Sequence, residues 1–278
     1  MNSKHTVLID TDGQLDSFWG LLCAKRTLNI RAVTVSAGKN RSLDQSADNI
    51  LRFSALANLN CPISLGSDRT ILNHPGPVWE RFGQDGKLGL LIQAEPTSAS
   101  SLPAWDCIME EAEKAQGQLE ILCFGPLTNL AISLFKYPKL PKLIKKVLIA
   151  GGSYDYGNCT AVTEINMATD PEAAKAVFQS GIPLEVYGFN AQIETSLQKE
   201  DILKLQDTCT GPGIHFLNRW REICSPAETM YCGPALTVLG CTDLEAVESV
   251  NYNMFVETKG AVCRGRTTPL NMYTPLDS

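Results

Sequence analysis

Histidine is scarce in this chain of 278 residues: His5, His74 and His215 are the three, and none stands at zinc-ligand spacing, so zinc chemistry is not expected. Long apolar runs are missing too. No stretch approaches the roughly 18 residues that a membrane span needs. The polar start, Met1 to Thr6, leads directly into a strand pattern without the form of a signal peptide. Paired cysteines are lacking: ten are scattered singly with no Cys-x-x-Cys. Several fall inside apolar strand or helix patterns, where cysteine behaves as a small hydrophobe. That usage predicts a reduced, cytoplasmic protein. Positive charge is in deficit, with 24 basic against 30 acidic residues and a net charge of −6. Such a balance argues against nucleic acid or an anionic membrane as a partner. No repeat, low-complexity tract or convincing linker interrupts residues 1–278, which are read as one domain.

What is present is an ordinary globular composition, 44% hydrophobic and 19% charged, arranged as alternating strands and helices. Val7–Ile9, Ile30–Val35, Leu119–Phe124, Lys146–Ala150 and Pro183–Tyr187 read as buried strands, with amphipathic stretches between them. Asp170-Pro171-Glu172 reads as a helix start, with an N-cap acid, proline at the first helical position and glutamate at the positive helix end. Alternation of this kind predicts a mostly parallel central sheet flanked by helices, an open, Rossmann-like α/β architecture. Ligands bind such sheets beyond the carboxyl ends of the strands. Segments 66–100 and 207–232 are rich in Gly, Pro, Ser and Thr and are expected to be long loops or lids.

The first strand runs into Ile9-Asp10-Thr11-Asp12-Gly13-Gln14-Leu15-Asp16-Ser17. Three carboxylates crowded after a buried strand repel one another unless a cation or a polyol uses them. A hard cation such as Ca²⁺ and the hydroxyls of a sugar both suit them; a solvated turn with a helix cap remains the plain alternative.

Four further motifs follow: Gly125-Pro126-Leu127-Thr128-Asn129; Gly157-Asn158 through Glu164-Ile165-Asn166; Asp170-Pro171-Glu172-Ala173-Ala174; and Glu257-Thr258-Lys259-Gly260 ahead of Arg264-Gly265-Arg266-Thr267. With the opening acids, and in this order, the chain resembles the inosine-uridine nucleoside hydrolase family from about residue 5 to 268. The resemblance implies a nucleoside hydrolase-type fold and cleavage of the N-glycosidic bond of ribonucleosides by water. It also implies a small ribosyl substrate, a homo-oligomer and a Ca²⁺ ion. Under it, Asp12 binds metal and activates water, Asp16 accepts from ribose hydroxyls and Asp10 supports the cluster. Asn158, Glu164 and Asn166 hold ribose, and the carbonyl of Phe124 ligates the metal.

The chain departs from this pattern where the metal belongs. Ser17 stands in place of the family's second metal-binding acid, and Cys232-Gly233-Pro234 in place of its His-Asp-Pro. One metal carboxylate of three therefore remains, and the leaving-group acid is gone. Affinity for calcium follows the number of charged oxygens, so no bound cofactor is expected. Ser17 could still offer a hydroxyl. The Gly-Asn loop after the second strand reads Gly38-Lys39-Asn40, which makes Asn40 a substrate-contact candidate and Lys39 a candidate fixed positive charge. Cys232, ahead of a helix, could serve as nucleophile or acid, or fill the space left by the histidine. If a family proline is deleted before Gly13, Asp16 takes the metal position and Leu15 replaces the ribose acid. Under the resemblance, the family's final strand and helix are not expected within residues 1–278. The expected function is hydrolysis, or related cleavage, of an N-ribosyl compound with little or no Ca²⁺ dependence. The alternatives are an inactive nucleoside-binding protein and a biosynthetic enzyme repurposed for a ribosyl-like substrate.

Overall fold

Side chains along a strand alternate between faces, and in β1 (Thr6–Thr11) both faces are buried. Val7 and Ile9 enter one hydrophobic core while Leu8 enters another, as a central parallel strand requires. The computed structural model describes residues 5–38, 41–72, 85, 87, 90–223 and 229–270. After β1 come α1 (Leu15–Thr27), β2 (Asn29–Val35), α2 (Leu43–Ala57), β3 (Ile63–Leu65), α3 (Ala104–Ala115) and β4 (Leu119–Cys123). Then follow α4 (Thr128–Lys136), β5 (Ile144–Ala150), α5 (Ile165–Thr169), α6 (Pro171–Phe178), β6 (Leu184–Tyr187) and α7 (Phe189–Glu194). The chain continues through α8 (Lys199–Thr208), α9 (Pro212–Ile223), α10 (Gly233–Thr242), β7 (Met254–Val256) and β8 (Thr267–Pro269).

Six strands form one parallel sheet in the order β3-β2-β1-β4-β5-β6. The order reverses between β1 and β4, and beyond their carboxyl ends a crevice opens of the type that binds ligands in open α/β sheets. β7 and β8 pair as a separate antiparallel ribbon. The expected helix start at Asp170 is present: its carboxylate accepts from Ala173 N at 3.1 Å, and also from the Thr128 hydroxyl at 2.7 Å.

Segment 207–232 is not the long loop its composition suggests, because α9 occupies its middle. Phe216, Leu217 and Trp220 are buried there. Phe216 packs against Phe18 of α1 and Phe53 of α2 at 5.3 and 5.5 Å, while those two rings stack at 4.8 Å. Aromatic pairs of this geometry contribute about 0.5–1.5 kcal/mol each beyond their buried area. Helical spacing of large apolar residues outweighed the glycine and proline around them. No disulfide forms among the described cysteines, and no helix among the described residues is long and apolar enough to cross a membrane.

Candidate active site

A small cleft opens at the switch point, lined by Gln14, Asp16, Phe124, Ala150, Asn158, Glu164, Ile165, Asn166, Gln192, Tyr231 and Pro234. Its mix of apolar and polar walls is of the kind that orients a small organic ligand. The fold thus gathers Asp16 from α1, Phe124 from the end of β4, and Asn158, Glu164 and Asn166 from the segment after β5. Their separation in sequence is more than a hundred residues; only the parallel crossovers bring them together.

Glu164 caps α5. Its Oε2 accepts from the backbone N–H groups of Gly152 (3.0 Å), Asn166 (3.0 Å) and Met167 (3.2 Å), which leaves Oε1 without a partner among the described residues. Burial pushes this carboxyl up to about 7, against the lowering effect of those three donors. Near neutrality it can therefore accept or donate a hydrogen bond to a hydroxyl. Asn158 turns its Oδ1 to Ile165 N at 2.8 Å, so its amide N–H₂ remains to donate. Asn166 does the reverse. Its Nδ2 donates to the Ala150 carbonyl at 2.8 Å and to the Phe124 carbonyl at 3.3 Å, and its Oδ1 has no partner among the described residues. The three side chains are each fixed by one end and keep a polar atom at the other.

The acids after β1 are placed differently from one another. Asp10 lies on the Leu8 side of the strand, fully buried, with Oδ1 accepting from Thr34 Oγ1 (2.6 Å) and Asn129 Nδ2 (2.8 Å). Burial pushes its carboxyl up to about 7. It is not among the cleft-lining residues and acts, if at all, from behind. Asp12 is also buried; its Oδ2 accepts from Arg41 Nη2 at 3.0 Å and from the Gln14 amide, while Oδ1 is buried without a partner among the described residues. Asp16 lines the cleft and Leu15 is buried in the core. Ser17 is buried, with no hydrogen-bond partner for its hydroxyl among the described residues.

Around Asp12 the donors do not suit calcium. The ion needs six to eight oxygen lone pairs, whereas N–H groups of Arg41 and Gln14 already occupy Asp12 Oδ2, and the Asn166 amide reaches the Phe124 carbonyl. Among the described residues one other group could ligate a metal: His5, Glu120 and Cys241. These sit at the opposite, amino-terminal end of the sheet. There Glu120 accepts from Lys145 and His5, and burial, then the Glu120 charge, pushes the Cys241 thiol up to about 12.

Cys232 precedes α10 and packs half-buried against the core, its Sγ 4.0 Å from the Met230 carbonyl. Its neighbours Tyr231 and Pro234 line the cleft; Cys232 is not among the lining residues. Asn40 and Lys39 lie outside the described residues. Sequence reasoning passed over Gln14, Gln192 and Arg41. Arg41 left a faint signal, a basic residue just before the Ser42 cap of α2, in the loop that faces the β1 acids.

Comparison with known proteins points one way. The family model described as inosine-uridine preferring nucleoside hydrolase matches residues 7–275. A non-specific ribonucleoside hydrolase RihC from Escherichia coli O127:H6 is 29% identical over 214 residues, covering 76% of this chain and 70% of that protein. RihC from Shigella flexneri serotype 5b is 28% identical over the same shares. Two solved structures share the fold. The plant nucleoside hydrolase PpNRh1 superposes with a TM-score of 0.86 at 23% identity, covering 99% of this chain and 91% of the other. A purine-preferring ribonucleoside hydrolase from Gardnerella vaginalis gives 0.85 at 24% identity, covering 95% and 88%.

Proposed function

We propose that this chain, which belongs to the inosine-uridine preferring nucleoside hydrolase family, hydrolyses the N-glycosidic bond of a ribonucleoside or related N-ribosyl compound without a bound Ca²⁺. One observation carries the reading: Asp16, Asn158, Glu164 and Asn166 converge on a single cleft at the switch point, and three of them are anchored so that a polar atom remains for a ligand. Ribose offers three hydroxyls, each both donor and acceptor, and the mixed set of amide and carboxyl groups can satisfy them. Orienting the sugar in this way lets its ring take on positive charge facing the acids, which stabilise it electrostatically. Asp12, buried just behind the cleft-lining Gln14 that donates to it, is the general base, with its unpartnered Oδ1 taking a proton from the attacking water. Asp10 stays behind it, holding the end of β1 through Thr34 and Asn129.

The second reading, a protein that binds nucleosides without cleaving them, is favoured by the Gln14 amide lying on Asp12. Incubation with a panel of ribonucleosides and their 2′-deoxy counterparts separates the two, with ribose and free base quantified by chromatography. Release of base from ribonucleosides is expected. Binding of the whole panel with no base released supports the second reading, and neither binding nor release contradicts both.

A further inference from the structure

We propose that Arg41 is the resident cation of this site: a fixed guanidinium that stands in for the metal ion and makes the site indifferent to calcium. The charge placement stands on geometry alone; its role in turnover rests on the hydrolase reading above. Arg41 and Asp12 are both withdrawn from solvent, their side chains 4% and 1% exposed. Nη2 lies 3.0 Å from Asp12 Oδ2 and 3.4 Å from the Asp12 carbonyl, so one nitrogen addresses two oxygens of the same residue, as a ligated cation does. A guanidinium keeps its charge at any working pH. The pair fits only because residue 38 is glycine: a Cβ there would stand 2.8 Å from Asp12 Oδ2 and would also run into Arg41 Nη2.

A second replacement lies in the cleft wall itself, at Gln192. Under the family resemblance Gly233 stands where an acid would be. A Cβ on Gly233 would meet Gln192 Cδ and Nε2 at 2.7 Å and Oε1 at 2.9 Å. The Gln192 amide therefore fills the volume a side chain at 233 would use, and its Nε2 is tied to the Tyr187 carbonyl at 3.1 Å. With serine at 17, the charged oxygens that would surround an ion have given way to a guanidinium, an amide and a hydroxyl. A divalent ion entering here would meet Arg41 instead of two further carboxylates and would be repelled.

The exchange leaves something for a ligand. Arg41 Nε and Asp12 Oδ1 are both buried and without hydrogen-bond partners among the described residues. The pair thus retains one donor and one acceptor, which suits a water molecule or a sugar hydroxyl. Arg41 is a positioning residue: it holds Asp12 by one carboxylate oxygen and leaves the other unpartnered, while Asp12 deals with the reacting atoms.

Titration calorimetry with CaCl₂ tests this without relying on turnover. The wild-type protein should give no binding heat up to millimolar calcium, and elemental analysis should find no stoichiometric calcium. The double variant Arg41→Met/Ser17→Asp should bind calcium at least a hundredfold more tightly than wild type. In turnover, Arg41→Met should lower kcat more than a hundredfold with KM changed less than threefold. Arg41→Lys should recover at least a tenth of the wild-type kcat. One calcium per wild-type chain at micromolar concentration would overturn the proposal, as would a folded double variant with no gain in calcium affinity or an unchanged kcat in Arg41→Met. Should the variants not fold, the wild-type titration decides alone. A wild-type protein that binds neither calcium nor nucleosides, beside a double variant that gains calcium, would sink the hydrolase reading and keep the resident cation.

Discussion

The two halves of the cleft differ in how they depart from the family pattern. On the side built from the segment after β5, Asn158, Glu164 and Asn166 match the ribose-holding positions one by one, and each is pinned by backbone partners. Behind the other side, at the end of β1, Asp12 remains with Arg41 and Gln14 on its carboxylate, while Ser17 and Gly233 stand where the resemblance implies acids. Loss by drift would erode both sides alike. Loss confined to one side is what the proposed function, with its sugar half still in use, would leave.

The largest effects should come from the rebuilt side. Asp12→Asn should lower the rate of base release at least about a hundredfold if Asp12 is the base. Asp12→Ala should in addition cost about 3–5 kcal/mol of stability, because Arg41 is then a buried charge with no partner. Urea denaturation measures this second effect. A variant as stable and active as wild type would mean that the pair is idle.

The ribose side should give smaller, ligand-specific changes. A 2′-deoxynucleoside leaves a buried polar group of the cleft unpaired, at a cost of about 1–3 kcal/mol, so its affinity should be roughly tenfold or more below that of the ribonucleoside. Thermal-shift titration reads the difference through ligand linkage to the native state. Equal stabilisation by the two would show that the cleft does not read that hydroxyl.

A subtler contrast lies in pH. Asp10 and Glu164 are both raised to about 7 from ordinary carboxyl values of 3.8 and 4.5. The native state therefore holds protons that the unfolded chain has released. The stability these groups contribute is complete below about pH 4 and is lost as pH rises through 7. Asp10→Asn can still accept from Thr34 and Asn129, and it should flatten the decline between pH 4 and 7 without lowering stability at pH 8. A slope unchanged by the substitution would assign the decline elsewhere. The smallest effect is expected from Cys232→Ser: packing against the core predicts a change within about 1 kcal/mol and a rate within twofold of wild type. Abolished turnover would instead give the thiol a chemical role.

Much of this was legible beforehand, and the reasons are physical. The parallel sheet showed itself in runs such as Val7–Ile9 and Lys146–Ala150, since strands buried on both faces are largely apolar. The helix start at Asp170 showed itself through its cap and proline. The three residues proposed to hold ribose stood out because they are compact in sequence, from Asn158 to Asn166. Helix α9 was obscured by flanking glycine and proline that outweighed Phe216 and Trp220 in a composition-based reading. Arg41 was invisible for a different reason. A basic residue in a loop is ordinarily solvated, and only the fold shows that Gly38 leaves it room to turn inward onto Asp12. The sequence pointed to Lys39 as a fixed charge, a residue outside the described ones; among the described residues a buried guanidinium stands at Arg41.

The central claim, that a working sugar site survives beside a built-in cation, is tested most directly by hydrolysis of a ribonucleoside after exhaustive chelation. Protein dialysed against EDTA should release free base at the untreated rate, and added CaCl₂ should not raise it. A rate that collapses on chelation and returns with calcium would contradict the account.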